Sequence, residues 1–310
     1  MSFEHIPVMS REVIDYLSVN KGGIYLDLTL GLGGHAIEIL KSDPDVKLIG
    51  IDIDSEALSI AGERLKNYKD RIHIVHGNFA DLDLILSENG ISKVDKILAD
   101  LGVSSIQLDK AERGFSFRLE SNLDMRMDQS AGRPISYELN NESFDNLVKI
   151  IREFGEERWA RRIAKNIVIE REKSPITTTK QLADLIVKSV PRSNEDIHPA
   201  TRTFQALRIY KNNELDNLKI GLDKAIRALK IGGRICVISF HSLEDRIVKE
   251  MFRTLEKGCI CPPKTPKCVC GKKSTVKIIT KKPLTPSEEE IKLNPRSRSA
   301  KMRVAEKTQD

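Results

Sequence analysis

The chain has 310 residues, and its 51 Lys+Arg against 45 Asp+Glu give a formal charge of +6. Apolar residues make up 40%, enough to bury a sizeable core, which excludes wholesale disorder. At 5% aromatic the chain is a poor match for a protein that binds single strands by stacking alone. Its length is that of about two domains.

The longest stretch without Asp, Glu, Lys or Arg is residues 28–37, so no membrane span of roughly 18 apolar residues is expected. The first residues include Glu4 and His5 and lack the basic-then-apolar pattern of a secretory leader. The odd count of five Cys argues against a secreted disulfide framework and for the reducing cytoplasm.

The first hundred residues alternate strand and helix signals. Residues 24–27 form a short apolar run ending in Asp27. A glycine-rich turn follows, then a helix to about Lys41. A second run, 46–51, ends at Asp52, and Ser55 is the expected cap of the next helix. Residues 72–75 and 94–99 are the third and fourth runs, the fourth ending at Asp100. Strands spaced by helices of 10–15 residues mean βαβ units and a parallel sheet.

The middle reads as helices only. Phe144, Leu147, Val148, Ile151 and Phe154 have helical spacing behind Ser143, with Gly155 to close the helix. Trp159, Ile163 and Ile167 mark a second helix. Leu182, Leu185, Ile186 and Val190 mark a third, stopped by Pro191, and residues 201–212 a fourth. The sheet pattern then resumes. A helix near 214–229 should end at Gly232-Gly233, with strands at 234–240, 274–280 and 300–305. The expected organisation is an α/β fold of seven strands, built from residues 1–106 and 216–310, with an all-helical insertion at 107–215.

The turn Asp27-Leu28-Thr29-Leu30-Gly31-Leu32-Gly33-Gly34-His35 is the strongest local signal. Glycines let the backbone turn tightly and approach a ligand, and the helix that follows offers unpaired N–H groups. Gly31-x-Gly33-x-x-Ala36, with Asp52 about 20 residues on, fits a dinucleotide site, where the carboxylate accepts from a ribose diol. This pattern allows NAD or S-adenosylmethionine. Asp27, Asp100 and the string His76-Gly77-Asn78-Phe79 at successive strand ends favour S-adenosylmethionine by placement. Asp54 competes with Asp52 for the ribose role.

Longer strings carry a family resemblance. They are Asp100-Leu101-Gly102-Val103-Ser104-Ser105 with Gln107-Leu108-Asp109, then Ala111-Glu112-Arg113-Gly114-Phe115-Ser116-Phe117, then Leu123-Asp124-Met125-Arg126-Met127-Asp128. Gly155-Glu156-Glu157-Arg158, His198-Pro199-Ala200-Thr201-Arg202-Thr203-Phe204-Gln205-Ala206 and Ile238-Ser239-Phe240-His241-Ser242-Leu243-Glu244-Asp245-Arg246 complete the set. Together they resemble the bacterial ribosomal RNA small-subunit methyltransferase H family, also called MraW, from about His5 to Glu306.

The resemblance implies a Rossmann-like S-adenosylmethionine-dependent methyltransferase fold with a helical insertion that recognises RNA. It implies methylation of the exocyclic N4 of cytidine 1402, in the decoding region of 16S ribosomal RNA. The substrate is then the small ribosomal subunit, with no membrane or DNA partner. Cofactor contacts carried over from the family fall on Gly33, Gly34, His35, Asp52, Phe79, Asp100 and Gln107.

For the chemistry, Asp100 is the candidate acceptor of a hydrogen bond from cofactor or amine. His241, at the end of the fifth strand, is a candidate contact or proton shuttle, or else a turn-forming residue. The Asp/Asn-Pro-Pro-aromatic string of other amino-methyltransferases is replaced here by Asp100-Leu101-Gly102. Arg113, Arg118 and Arg126, interleaved with Phe115 and Phe117, have the composition of an RNA-binding loop, unless both rings pack beneath it.

No catalytic metal is expected. Cys259-x-Cys261 and Cys268-x-Cys270 lie in a run, 257–287, with eight Lys and no acid. Four thiolates this close could hold a structural zinc, although the usual spacing is Cys-x₂-Cys.

Overall fold

A computed structural model describes residues 7–19, 22–191, 197–259, 261 and 270–310. In chain order the first elements are α1 (Ser10–Leu17), β1 (Gly23–Asp27), α2 (Gly34–Ser42), β2 (Val46–Asp52), α3 (Ser55–Arg64), β3 (Ile72–His76), α4 (Leu82–Glu88) and β4 (Val94–Asp100). Helices α5 (Ser105–Asp109), α6 (Ile135–Asn141), α7 (Phe144–Gly155), α8 (Ala160–Arg171), α9 (Thr179–Ser189) and α10 (Thr201–Asn212) follow. The chain closes with α11 (Glu214–Ala228), β5 (Leu229–Ser239), α12 (Ser242–Glu256), β6 (Val276–Ile278), α13 (Glu288–Leu293) and β7 (Lys301–Lys307). Two compact units result, one of residues 1–102 with 215–310 and one of residues 103–214.

In the first unit the seven strands form one sheet in the order β3-β2-β1-β4-β5-β7-β6. Strands β1 to β5 are mutually parallel, and β7 runs antiparallel between β5 and β6. Successive residues of a strand face opposite sides. Leu26, Ile49, Ile97 and Ile235 enter one apolar core, while Tyr25, Leu48, Leu98 and Cys236 enter another. The first core is covered by α4, α11 and α12, the second by α1, α2 and α3. Burial on both faces explains why the strands read as continuous apolar runs rather than as alternation.

Strand β5 begins at Leu229, five residues before the expected start. The expected helix stop at Gly232-Gly233 is instead a bulge within the strand. Pairing shifts from Val94↔Leu229 to Lys96↔Arg234, and Gly232 takes φ +80°, a region open to glycine at little cost. A Cβ at Gly233 would stand 2.8 Å from Asp95 O. At α3 the cap is Asp54, whose carboxylate accepts from Glu56 N and Ala57 N, and Ser55 is the first helical residue.

The second unit is helical, around a core that includes Leu147, Ile151, Ile163, Ile167, Leu182, Ile186 and Phe204. Ser143 caps α7 by accepting from Asn146 N at 3.2 Å. Gly155 is the last residue of α7 rather than the one beyond it, and Glu156 takes the left-handed position at φ +48°. Glycine is needed at 155 for contact: a Cβ there would meet Arg202 O at 2.6 Å.

Candidate active site

The sheet's topology fixes where a ligand can bind. From β1 the chain winds outward to β2 and β3, then returns to the other side as β4 and β5. A crevice opens at such a switch point, beyond the carboxyl ends of the strands. Those ends carry Asp27 on β1, Asp52 on β2 and Asp100 on β4.

The turn after β1 is held from both neighbouring strands. Thr29 N–H donates to Asp27 Oδ1 at 3.1 Å, and Asp100 N–H donates to Thr29 Oγ1 at 2.7 Å. Gly31 N–H donates to Asp52 Oδ2 at 2.7 Å, while Asp54 N–H donates to Asp52 Oδ1 at 2.9 Å. Asp52 therefore organises the glycine turn, and Asp54 serves α3. That settles which of the two faces the turn. Thr29, which sequence reasoning passed over, ties the β1 turn to the tip of β4. Its hydroxyl in a strand-to-helix turn was the available signal.

Gly33 caps α2 at φ +75°, and Gly34 and His35 are its first two residues. A side chain at Gly33 would collide with Leu65 Cδ1 at 2.8 Å. At Gly31 (φ +51°) a Cβ would find nothing nearer than Thr29 O, at 3.9 Å. The backbone there is open to a ligand.

His35 is buried, and its Nε2 stands 3.5 Å from Asp100 Oδ2. That is the outer edge of hydrogen-bonding distance, and the geometry is not that of a formed bond. His35 Nδ1 and Nε2 and Asp100 Oδ1 are buried without a hydrogen-bond partner. Burial alone would lower the His35 pKa, but Asp100 and Asp27 outweigh it and leave it raised.

Burial pushes Asp27 up to about 7, against the pull of His35 and the Thr29 amide. Burial likewise raises Asp52 to about 6, against three backbone N–H groups. Desolvated carboxylates with so little compensating positive charge form a site that favours a cation.

Phe79 follows β3 in a short 3₁₀ turn that Asn78 caps by accepting from Ala80 N. Its ring packs on the core beside Gly221, where a Cβ would overlap it. Gln107 lies in α5 of the second unit. Its Oε1 accepts from Ser104 N at 3.0 Å, one half of a reciprocal capping box. The structure thus brings Gly33, Gly34, His35, Asp52 and Asp100 together around one turn, and gives Gln107 a local capping duty.

Of the roles expected for His241, the structure shows the turn-forming one. It is the cap of α12: Nδ1 accepts from Glu244 N at 3.4 Å, and Glu244 Oε2 accepts from Phe240 N and His241 N. Its Nε2 lies 3.2 Å from Glu244 Oε1, out of line for a hydrogen bond. Both ring nitrogens are thus turned to their own helix start.

The chain matches the MraW methylase family over residues 2–308. It belongs to that family. A relative from Geotalea uraniireducens, named ribosomal RNA small subunit methyltransferase H, is 56% identical over 308 residues, covering 98% of this chain and 99% of its own length. The protein of that name from Caldicellulosiruptor bescii is 55% identical over 306 residues, 98% of this chain and 99% of its own. The one from Clostridioides difficile is 50% identical over 310 residues, 99% and 100% of the two chains. Family membership fixes the fold as a Rossmann-like methyltransferase sheet and the reaction class as methyl transfer.

The second unit corrects one reading of its arginines. Arg113 is buried, and its Nη2 donates to the carbonyls of Arg126 and Met127 at 3.1 and 3.0 Å. Arg126 grips Asp124 through two nitrogens and reaches the carbonyls of Gln129, Ala131 and Gly132. Phe115 is core, and Phe117 stacks on His198 at 4.6 Å. These residues build the loop, and of its three arginines only Arg118 is exposed. On α8 and just before it, Arg158, Arg161, Arg162 and Lys165 are exposed too.

Proposed function

We propose that this chain transfers a methyl group from S-adenosylmethionine to the exocyclic N4 of cytidine 1402, in the decoding region of 16S ribosomal RNA. The observation that carries the reading is the cluster of Asp27, His35, Asp52 and Asp100 around an open glycine turn. It fits the cofactor in two respects. The cofactor is a net cation, which suits three carboxylates, and the unpartnered atoms of His35 and Asp100 ask for a polar ligand.

When bound, the cofactor supplies a sulfonium methyl that is already electrophilic. Asp52, which already accepts from the Gly31 and Asp54 amides, is the carboxylate that would accept from the ribose diol. Gly33 and Gly34 offer backbone at the start of α2, Phe79 offers an apolar edge, and Gln107 is assigned to the cofactor by family resemblance.

Cytosine N4 is a weak nucleophile because its lone pair is delocalised into the ring. The protein's task is therefore alignment and removal of a proton. His35 stands against Asp100 Oδ2, which leaves Oδ1 to accept a hydrogen bond from the amine. The same Oδ1 then takes the proton released as the N–C bond forms. His241 acts by setting the β5–α12 corner.

The exposed Arg118, Arg158, Arg161, Arg162 and Lys165 of the second unit suit the phosphates of the RNA strand. This reading puts the protein in the cytoplasm, working on the small ribosomal subunit, with no membrane or DNA partner. Among the described residues no helix is long and apolar enough to cross a membrane.

The test uses methyl-labelled S-adenosylmethionine with small subunits lacking the modification, followed by digestion and nucleoside separation. Label in N4-methylcytidine from the decoding region is expected. Demonstrated cofactor binding without transfer, to subunits or to extracted RNA, would overturn the enzymatic reading in favour of an assembly factor.

A further inference from the structure

The connection between α12 and β6 carries three cysteines that the site at the strand tips does not use. The Sγ atoms of Cys259, Cys261 and Cys270 all lie within 4.8 Å of one another. Cys259 and Cys270 are 3.8 Å apart. That is far beyond a disulfide bond of about 2.05 Å. It equals the edge of a zinc tetrahedron: with Zn–S bonds of about 2.3 Å, neighbouring sulfurs stand about 3.8 Å apart.

A second feature points the same way. The backbone amide of Cys261 donates to Cys259 Sγ at 3.4 Å. The N–H fixes where that sulfur points, as hydrogen bonds to ligand atoms do at metal sites. The run 257–287 supplies eight lysines and no carboxylate. The lysines offset the negative charge of several thiolates, and no carboxylate of the run competes for the ion. A sulfur-only donor set selects zinc over magnesium or calcium.

The loop is also closed at its base. Thr275 N–H donates to Leu255 O at 3.0 Å and Ile278 N–H to Glu256 Oε1 at 2.8 Å, and Lys272 Nζ reaches Thr254 O. Both arms of the loop are therefore fastened to the end of α12, so the cysteines are brought near one another by contacts that owe nothing to a metal. Much of the loop-closure entropy is met before an ion binds.

We propose that Cys259, Cys261 and Cys270 form a structural zinc site that staples the connection between α12 and β6. Cys268, the remaining thiol of the sequence pattern, lies outside the described residues. The site stands apart from the methyl-transfer chemistry, and its role is to hold a lysine-rich segment in one conformation.

The test uses the full chain, purified without chelator. Elemental analysis should find about one zinc ion per chain, released in step with mercurial titration of the thiols. Cobalt(II) exchanged into the site should give intense sulfur-to-cobalt charge-transfer bands and the visible bands of a tetrahedral ion, whose strength counts the thiolates. Cys259→Ser and Cys270→Ser should each lose zinc to a competing chelator at least ten-fold more readily, with circular dichroism unchanged and amide exchange faster in residues 257–275. Trace zinc with thiols that alkylate as fast as free cysteine would overturn the proposal. So would a Cys259–Cys270 disulfide in freshly purified protein, or full zinc retention in both serine variants. If the variants misfold, zinc content and the cobalt spectrum of the unaltered chain still decide.

Discussion

His35 and Asp100 face each other across the switch point of the sheet, Nε2 to Oδ2 at 3.5 Å, with neither in a formed hydrogen bond there. One comes from the start of α2, the other from the tip of β4. The pair leaves Asp100 Oδ1 buried without a hydrogen-bond partner. Asp100→Asn keeps the shape and removes the proton acceptor. Turnover should fall on the order of 100-fold or more, with the cofactor dissociation constant changed far less. Single-turnover kinetics and calorimetry separate the two, and an unimpaired chemical step would remove Asp100 from the role.

Cofactor binding should be linked to protons. Asp27 at about 7 and Asp52 at about 6 are both raised by burial. A cationic ligand favours their ionised forms, so it drives protons off on binding. Loss of the His35 proton with rising pH acts in the same direction. Affinity should therefore climb as pH rises through about 6 to 7. Calorimetry in buffers of different ionisation heat should show net proton release, and pH-independent binding would refute it.

The same shifts set the ligand-free stability. A carboxyl whose folded pKa lies above its unfolded value binds more protons when folded. Its contribution is lost as pH rises from the ordinary carboxylate range towards about 7. A raised histidine also loses its contribution as pH rises. Tm without ligand should fall over that interval, and saturating cofactor should flatten the fall.

His241 tests the difference between a cap and a shuttle. Asn is a good N-cap, so His241→Asn should keep turnover within a few-fold and the stability near its original value. His241→Ala should cost about 1 kcal/mol of stability. A collapse of the chemical step in the Asn variant would restore the catalytic reading.

Two arginines five residues apart should behave oppositely. Arg113→Ala removes two charge-assisted hydrogen bonds inside the second unit and should cost roughly 3 kcal/mol. Arg118→Ala should leave Tm unchanged and weaken RNA binding several-fold, more at low salt than at high. Equal effects on stability would contradict the assignment.

The strands were legible because each buried run ends in a polar residue at the sheet's edge, as at Asp27, Asp52 and Asp100. The start of β5 was not, because two glycines read as a break and only pairing with β4 shows that they form a bulge. Local composition also could not tell Asp54 from Ser55 as the cap of α3. Arg113 and Arg126 misled for a related reason. A guanidinium that satisfies backbone carbonyls and one that meets phosphate look the same in sequence, since both want oxygen acceptors. Thr29 showed only a hydroxyl in a turn, because its partner is 71 residues away.

The antiparallel strand β7 has a consequence for how the molecule is made. It is the last strand in the chain, yet it lies between β5 and β6. During synthesis β5 is left with an open edge, and β6 has no neighbour to pair with, until residues 301–307 have cleared the ribosome. The helical unit, complete by residue 214, can fold while the sheet still waits. Nascent chains arrested just before β7 should accordingly show protected amides in the helical unit and fast exchange at the β5 amides that face β7.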